Sequence, residues 1–202
     1  MGMAVPGDFS DELDTWLSSD APKTLEDLGN AFAEKSFAVT ILLLMFVPAL
    51  PLPTGGISHV FEVIAIVIAL QMVAGRRTIW LPRKWKQKEL GKTITGKGVP
   101  FVIRRVRWFE RFSRPRFAGL FNQRWFLRVI GLVIIVFTTG ALLAPPFSGL
   151  DTLPALGVVT ICLAIILEDA IVLGIGMVIG SGGLVLIVTI GAAVAHFLQD
   201  RF

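Results

Sequence analysis

The chain has 202 residues, of which 54% are hydrophobic and only 17% are charged, and its formal net charge is +4 at pH 7. Its mean hydropathy of +0.74 excludes an ordinary soluble domain and predicts an all-helical integral membrane protein. The single cysteine, Cys162, excludes an intrachain disulfide and a multi-cysteine metal site.

Charge is distributed unevenly and divides the chain into four regions. Residues 1–36 carry eight acidic residues against two lysines, whereas residues 76–128 carry sixteen Lys and Arg against two acidic residues. Residues 37–75 and 129–202 are mainly apolar. The basic region could bind nucleic acid, but a loop between membrane segments is more simply explained by retention in the cytoplasm. We therefore do not expect a nucleic-acid partner.

The acidic region contains one helical pattern. Thr24 and Asp27 resemble a capping box, and the apolar residues Leu25, Leu28 and Phe32 recur at helical spacing. This pattern predicts a short amphipathic helix that lies at the membrane surface or against the protein's own loops.

Residues 37–47 and 60–73 are two apolar runs separated by a Pro/Gly segment. Proline removes a backbone donor and glycine tolerates any φ, so the runs must form a hairpin or a broken helix. The breaking residues are Pro51, Pro53, Gly55 and Gly56. Each run is short against about 30 Å of hydrocarbon, which suits a re-entrant hairpin, and two thin crossings are the alternative.

A second copy of this pattern follows 94 positions later. It lies between the apolar runs 129–143 and 153–167, and its breaking residues are Pro145, Pro146 and Gly149. We interpret the two copies as an internal repeat of a membrane hairpin, related by a pseudo-two-fold axis, with both turns close together inside the protein. Because each irregular turn needs covering protein, we also expect a homodimer.

The connector between the hairpins carries interfacial residues, namely Arg76, Arg77, Trp80, Trp108 and Trp125. Its second half places apolar residues at helical spacing among arginines, which is the composition of an interfacial helix attracted to anionic lipid headgroups. Basic loops are retained on the cytoplasmic side, so we expect the connector in the cytoplasm, and the N-terminus with it.

The last apolar run, residues 170–198, would rise about 43 Å as one helix, which is more than the hydrocarbon requires. It contains Gly180, Ser181, Gly182 and Gly183. We expect the helix to break at these residues, and one long tilted helix is the alternative.

Polar residues beside the apolar runs are the candidate sites, because charges in hydrocarbon are costly. Glu62 follows His59 by three residues, so the two can share one helix face beside the first turn and exchange protons. Asp151 stands at the second turn, where it could also cap a helix. If both turns meet, Thr54 and Ser148 complete one polar site, as in transporters with discontinuous helices.

Three further polar residues are candidates. Glu168 and Asp169 separate two apolar runs and suit a salt bridge or a water-exposed turn, and Gln71 suits a hydrogen bond between helices. The sequence contains no zinc-protease, nucleophile-elbow or phosphate-loop motif. We therefore expect no enzyme activity, no cofactor and no metal site.

The order and spacing of several motifs resemble one known family. These motifs are Pro51-Leu-Pro53 with Gly55-Gly56, Gly75-Arg-Arg77 before Trp80-Leu81-Pro82, Pro145-Pro-Phe147-Ser-Gly149, and Glu168-Asp169. Over roughly residues 24–198 the chain resembles the ExoD family of bacterial exopolysaccharide-synthesis membrane proteins.

The resemblance implies a bacterial inner-membrane protein linked to exopolysaccharide production and to tolerance of alkaline conditions. It implies no catalytic residues. We interpret the chain as a transporter that couples cation and proton movement, with Glu62 as the proton carrier. A carrier of a lipid-linked phosphate or sugar is one alternative, and a scaffold that recruits polysaccharide enzymes is another.

Overall fold

The computed structural model describes residues 14–15, 17–18, 35–50, 57–76, 79–80, 100, 104, 118–121, 123–145 and 148–199. The helices with described bounds are α1 (Ser36–Phe46), α2 (Ile57–Val73), α3 (Ala118–Phe121), α4 (Arg124–Leu143), α5 (Thr152–Leu167) and α6 (Ala170–Gln199). None of the described residues lies in a strand. The predicted all-helical fold class is therefore confirmed for this part of the chain.

The ends of these helices follow from local chemistry. The chain leaves α1 just before Pro48 and leaves α4 just before Pro145, since proline cannot continue a helix. In α5 the third residue is Pro154, where the missing N–H would have no partner within the helix. That helix ends at Glu168, whose φ of +54° is left-handed and whose N–H donates to the carbonyl of Ala164.

Four of the helices form a closed ring around the apolar core. In this ring α1 packs on α2, α2 on α4, α4 on α5, and α5 on α1. Every residue of α1 is buried, so α1 is the most enclosed helix that the structure describes with its side chains. An apolar helix buried on all sides is expected in a large core or a membrane bundle.

Neighbouring helices in the ring run antiparallel. Lys35, beside the start of α1, donates to the carbonyl of Ile166 near the end of α5 at 2.7 Å. A Cβ on Gly131, near the start of α4, would lie 2.9 Å from Val73 at the end of α2. We call this end of the ring the base end, and we call the other end, where α4 turns into α5, the turn end.

The last helix, α6, is continuous from Ala170 to Gln199, so the expected break at Gly180 to Gly183 is wrong. Gly180 and Gly183 serve close packing instead. A Cβ on Gly157 of α5 would lie 2.5 Å from the Cα of Gly180, and a Cβ on Gly183 would lie 2.5 Å from Pro154. Helix backbones approach this closely only through small residues, which is common between membrane helices.

Two of the described helices are long and apolar enough to cross a membrane, over Arg124–Leu143 and Ala170–Ala193. The other apolar helices, α1, α2 and α5, are shorter. Beyond Gly183, which packs on the start of α5, the remaining residues of α6 extend about 24 Å past the ring.

The second Pro/Gly turn lies at the surface of the chain. Pro145, Ser148 and Gly149 are all exposed, so the described residues of one chain do not enclose this turn. The other breaking residues, Pro51, Pro53, Gly55, Gly56 and Pro146, lie outside the described residues. The internal repeat and its two-fold axis stay predictions.

Candidate functional site

Glu62 is the most buried charged side chain that the structure describes, with none of its surface exposed. It lies on α2 near the turn end, among the apolar residues of the core. Its Oε2 atom is 2.9 Å from Nδ1 of His59, one helical turn earlier, and the His59 side chain is 31% exposed. The pair therefore connects a buried carboxyl group to a ring that reaches the surface.

Asp151 lies at the start of α5, close enough to Glu62 for the two negative charges to repel each other. It occupies the N-cap position but its side chain makes no capping hydrogen bond, so the expected capping role is wrong. The structure thus brings Glu62, His59 and Asp151 from two different hairpins to the turn end. Negative charges at one end of an apolar bundle attract cations and protons to that end.

The other predicted members of this polar site are not seen beside Glu62. Thr54 lies outside the described residues. The exposed Ser148 donates to the carbonyl of Pro145 at 2.6 Å and accepts from the N–H of Leu150 at 3.2 Å. The Ser148 hydroxyl group therefore stabilises the turn in which Ser148 lies.

Two threonines in the core were not predicted as site residues. Thr40 of α1 and Thr138 of α4 are fully buried, and their hydroxyl groups have no hydrogen-bond partner among the described residues. The Oε1 atom of Glu62 is also without a partner. The only sequence signal for the threonines is a polar residue inside an apolar run, which alone does not distinguish a site from a threonine bonded to its own helix.

Gln71 has a structural role at the base end. Its Nε2 donates to the carbonyl of Trp80 at 2.7 Å, and its Oε1 accepts from the N–H of Trp80 at 2.6 Å. A further bond joins Nε2 to the carbonyl of Val67 at 3.1 Å. Gln71 was expected to bond a neighbouring helix, and instead it holds the segment that follows its own helix.

Glu168 and Asp169 also have structural partners. Oε1 of Glu168 is 3.2 Å from Nζ of Lys35, so the salt bridge named as one option is present. Asp169 is buried, and its Oδ1 accepts from the N–H of Ile171 at 2.9 Å, as an N-cap residue of α6 does. Asp169 therefore caps α6, whereas Asp151 does not cap α5.

Basic and aromatic side chains share the base end. Arg76, Trp80 and Trp125 are exposed there, and the guanidinium group of Arg128 lies against Gly75. Gly75 has a φ of +74° and no room for a Cβ, since one would lie 2.8 Å from Nη2 of Arg128. The other predicted interfacial residues, Arg77 and Trp108, lie outside the described residues.

Comparison with known proteins identifies similar chains. The family model described as "Exopolysaccharide synthesis, ExoD" matches residues 9–189. An uncharacterized protein, slr1875, of Synechocystis sp. is 30% identical over 151 residues, which cover 72% of this chain and 68% of that protein. Protein ExoD of Rhizobium meliloti is 28% identical over 172 residues, which cover 82% of this chain and 67% of that protein. No solved structure matches this chain.

Proposed function

The chain belongs to the ExoD family, which is linked to exopolysaccharide synthesis, and from this premise we propose that it exchanges a cation for a proton across the bacterial inner membrane. The proposal includes the tolerance of alkaline conditions that such an exchange would support. We propose transport, and not catalysis, as the activity of the chain.

The observation that carries this proposal is the wholly buried Glu62 carboxyl group, whose Oε2 atom is hydrogen-bonded to the partly exposed His59. A carboxylate inside an apolar bundle is costly, so it is neutralised either by a proton or by a cation. Because both occupants use the same carboxylate, binding of one releases the other. That competition is the elementary step of an exchange.

His59 and Asp151 help a proton and a cation to reach this carboxylate. The imidazole ring of His59 reaches the surface on one side and Glu62 on the other, so it can pass a proton between water and the carboxyl group. The negative charge of Asp151 at the start of α5 attracts a cation toward the turn end.

The membrane arrangement that we propose has α4 and α6 as spanning helices. The eleven residues of α1 rise about 17 Å, which is far less than the hydrocarbon thickness and favours a re-entrant first hairpin. The N-terminus and the basic connector lie in the cytoplasm. The exposed Arg76, Trp80 and Trp125 at the base end contact anionic headgroups, and a second copy of the chain covers the turns in a homodimer.

A second candidate function is the carriage of a lipid-linked phosphate. It is favoured by the guanidinium group of Arg128, which lies beside Gly75, the residue that precedes the exposed Arg76. Guanidinium groups suit phosphate recognition. A scaffold that recruits polysaccharide enzymes depends on the connector, most of which lies outside the described residues.

The test uses the full-length protein reconstituted in vesicles with a trapped pH indicator. An outward sodium or potassium gradient is expected to drive proton uptake, and Glu62→Gln is expected to abolish it while Glu168→Gln, at the base end, retains it. Wild-type flux in the Glu62→Gln variant would contradict the proposal. Uptake of a polyprenyl phosphate that requires the phosphate group of the lipid, and that is lost in Arg128→Met, would instead favour the second candidate.

A further inference from the structure

Two buried oxygen atoms on neighbouring helices have no hydrogen-bond partner among the residues that the structure describes. They are Oε1 of Glu62 on α2 and Oγ1 of Thr138 on α4, and both side chains are 0% exposed. Buried polar atoms without a partner are rare in folded proteins, because they have lost their bonds to water and gained nothing in exchange. Each such atom calls for a physical explanation.

The register of α2 against α4 sets these two residues at the same level of the helix contact. Gly131 of α4 packs on α2 at Ala69 and Val73, since a Cβ on Gly131 would lie 3.5 Å from the carbonyl oxygen of Ala69. Seven residues make two turns of an α-helix, so a residue seven positions away lies on the same face. Glu62 precedes Ala69 by seven, and Thr138 follows Gly131 by seven. Because the helices run antiparallel, Glu62 and Thr138 face each other across the contact.

The two atoms nevertheless do not bond each other directly, although a hydroxyl group opposite a carboxylate readily donates to it. Two buried oxygens that the register sets at one level, with no hydrogen bond between them, suit the ligands of a small dehydrated cation. Carboxylate and hydroxyl oxygens are the hard ligands that such ions prefer.

We infer that Thr138 and Glu62 together bind a dehydrated alkali cation, for which sodium is the probe. The inference rests on the proposed function, because it assigns ligands to the cation of that exchange. A monovalent ion fits because Glu62 is the only carboxylate in the contact, and divalent ions in proteins are held by several. The described residues contain no group of three or more His, Cys, Asp or Glu that could hold a metal ion.

Thr40 provides a matched control within the same protein. It is equally buried and its hydroxyl group is equally unpartnered. It lies on α1, however, five residues after Lys35 at the base end, whereas Glu62 lies near the turn end. Its hydroxyl group therefore makes no part of the proposed site.

The experiment is equilibrium binding of radioactive sodium to the purified full-length protein in detergent, with N-methyl-glucamine chloride holding the ionic strength constant. Wild type is expected to bind sodium saturably. Thr138→Val, which keeps the shape and removes the hydroxyl group, should weaken binding about tenfold or more, as the loss of one bond to a charged group does. Thr138→Ser and Thr40→Val should bind nearly as wild type does, and Glu62→Gln should not bind.

Absence of saturable sodium binding to wild type would overturn the inference, and so would unchanged binding in Thr138→Val or an equal loss in Thr40→Val. Gel filtration and thermal unfolding check that each variant is folded. If Thr138→Val is not folded, Thr138→Ala replaces it in the comparison of sodium binding with wild type. If Glu62→Gln abolishes exchange in vesicles while Thr138→Val binds sodium normally, the proposed function stands without this site. If sodium binding depends on Thr138 but wild-type vesicles exchange nothing, the site stands without the proposed function.

Discussion

The ammonium group of Lys35 lies 3.2 Å from Oε1 of Glu168 and 2.7 Å from the carbonyl oxygen of Ile166. These contacts join the start of α1 to the end of α5, and so join the two hairpins at the base end. The carbonyl of Ile166 is in the last turn of a helix, where the negative end of the helix dipole favours a cation. The Lys35 side chain therefore adds two polar contacts to the packing of α1 on α5.

Lys35→Met should lower the free energy of unfolding by about 1 kcal/mol, since exposed ion pairs contribute little and one charged hydrogen bond is also lost. The measurement is denaturant unfolding in detergent. A double-mutant cycle with Glu168→Gln separates the ion pair from the bond to the carbonyl. Equal stability of Lys35→Met and wild type would show that the contacts do not hold the hairpins together.

Gln71→Leu removes both bonds to the backbone of Trp80 and should cost about 2 kcal/mol, with each bond contributing about 1 kcal/mol. The segment after α2 should then loosen, so trypsin should cleave after Arg76 faster than in wild type. Gln123→Leu is the control, because Gln123 is exposed and its side chain bonds only the side chain of Trp125 among the described residues. Equal cleavage rates in both variants would mean that Gln71 does not anchor this segment.

Gly157→Ala should destabilise the contact of α5 with α6 by about 1–3 kcal/mol, as overpacking of a close contact does. The added methyl group would meet the backbone of Gly180 at 2.5 Å, which cannot move aside without separating the helices. Gly174→Ala and Gly182→Ala add the same group to α6 with no atom within 4 Å. They should be neutral or more stable, because alanine favours helix. The comparison is the melting temperature of the four proteins in one detergent.

Glu62→Met should raise the free energy of unfolding by about 1–3 kcal/mol while it abolishes exchange. The substitution removes a buried oxygen without a partner and replaces a carboxyl group with an apolar chain of similar size. His59 keeps contact with water through its exposed side. A loss of stability would indicate that the bond to His59 outweighs the cost of burial, and Glu62 would then be a structural residue.

The proposed topology can be tested by cysteine labelling, since the native Cys162 is fully buried and should not react. Lys92→Cys in the connector and Ser10→Cys near the N-terminus should react with an impermeant maleimide only after the inner membrane is opened. Labelling of Lys92→Cys in intact spheroplasts would reverse the orientation. Labelling of Ser10→Cys alone would show an odd number of crossings before the connector.

Apolar runs in the sequence were sufficient to locate the long helices. The apolar runs 60–73 and 153–167 correspond closely to α2 (Ile57–Val73) and α5 (Thr152–Leu167). Proline ends helices through its own covalent structure, so these boundaries could be read without knowing the fold. The spacing of His59 and Glu62 likewise depends only on helix geometry, and the structure places Nδ1 of His59 2.9 Å from Oε2 of Glu62.

Contacts between distant segments could not be predicted from the sequence, because they depend on helix pairing and register. The glycines at 180–183 suggested a break, whereas the structure has a continuous helix in which Gly180 packs on Gly157 and Gly183 packs on Pro154. Asp151 and Asp169 have the same side chain at two helix starts, yet only Asp169 caps its helix. The role that we propose for Thr138 rests on the packing of Gly131 on Ala69, which sets it at the level of Glu62, and no local pattern encodes that pairing.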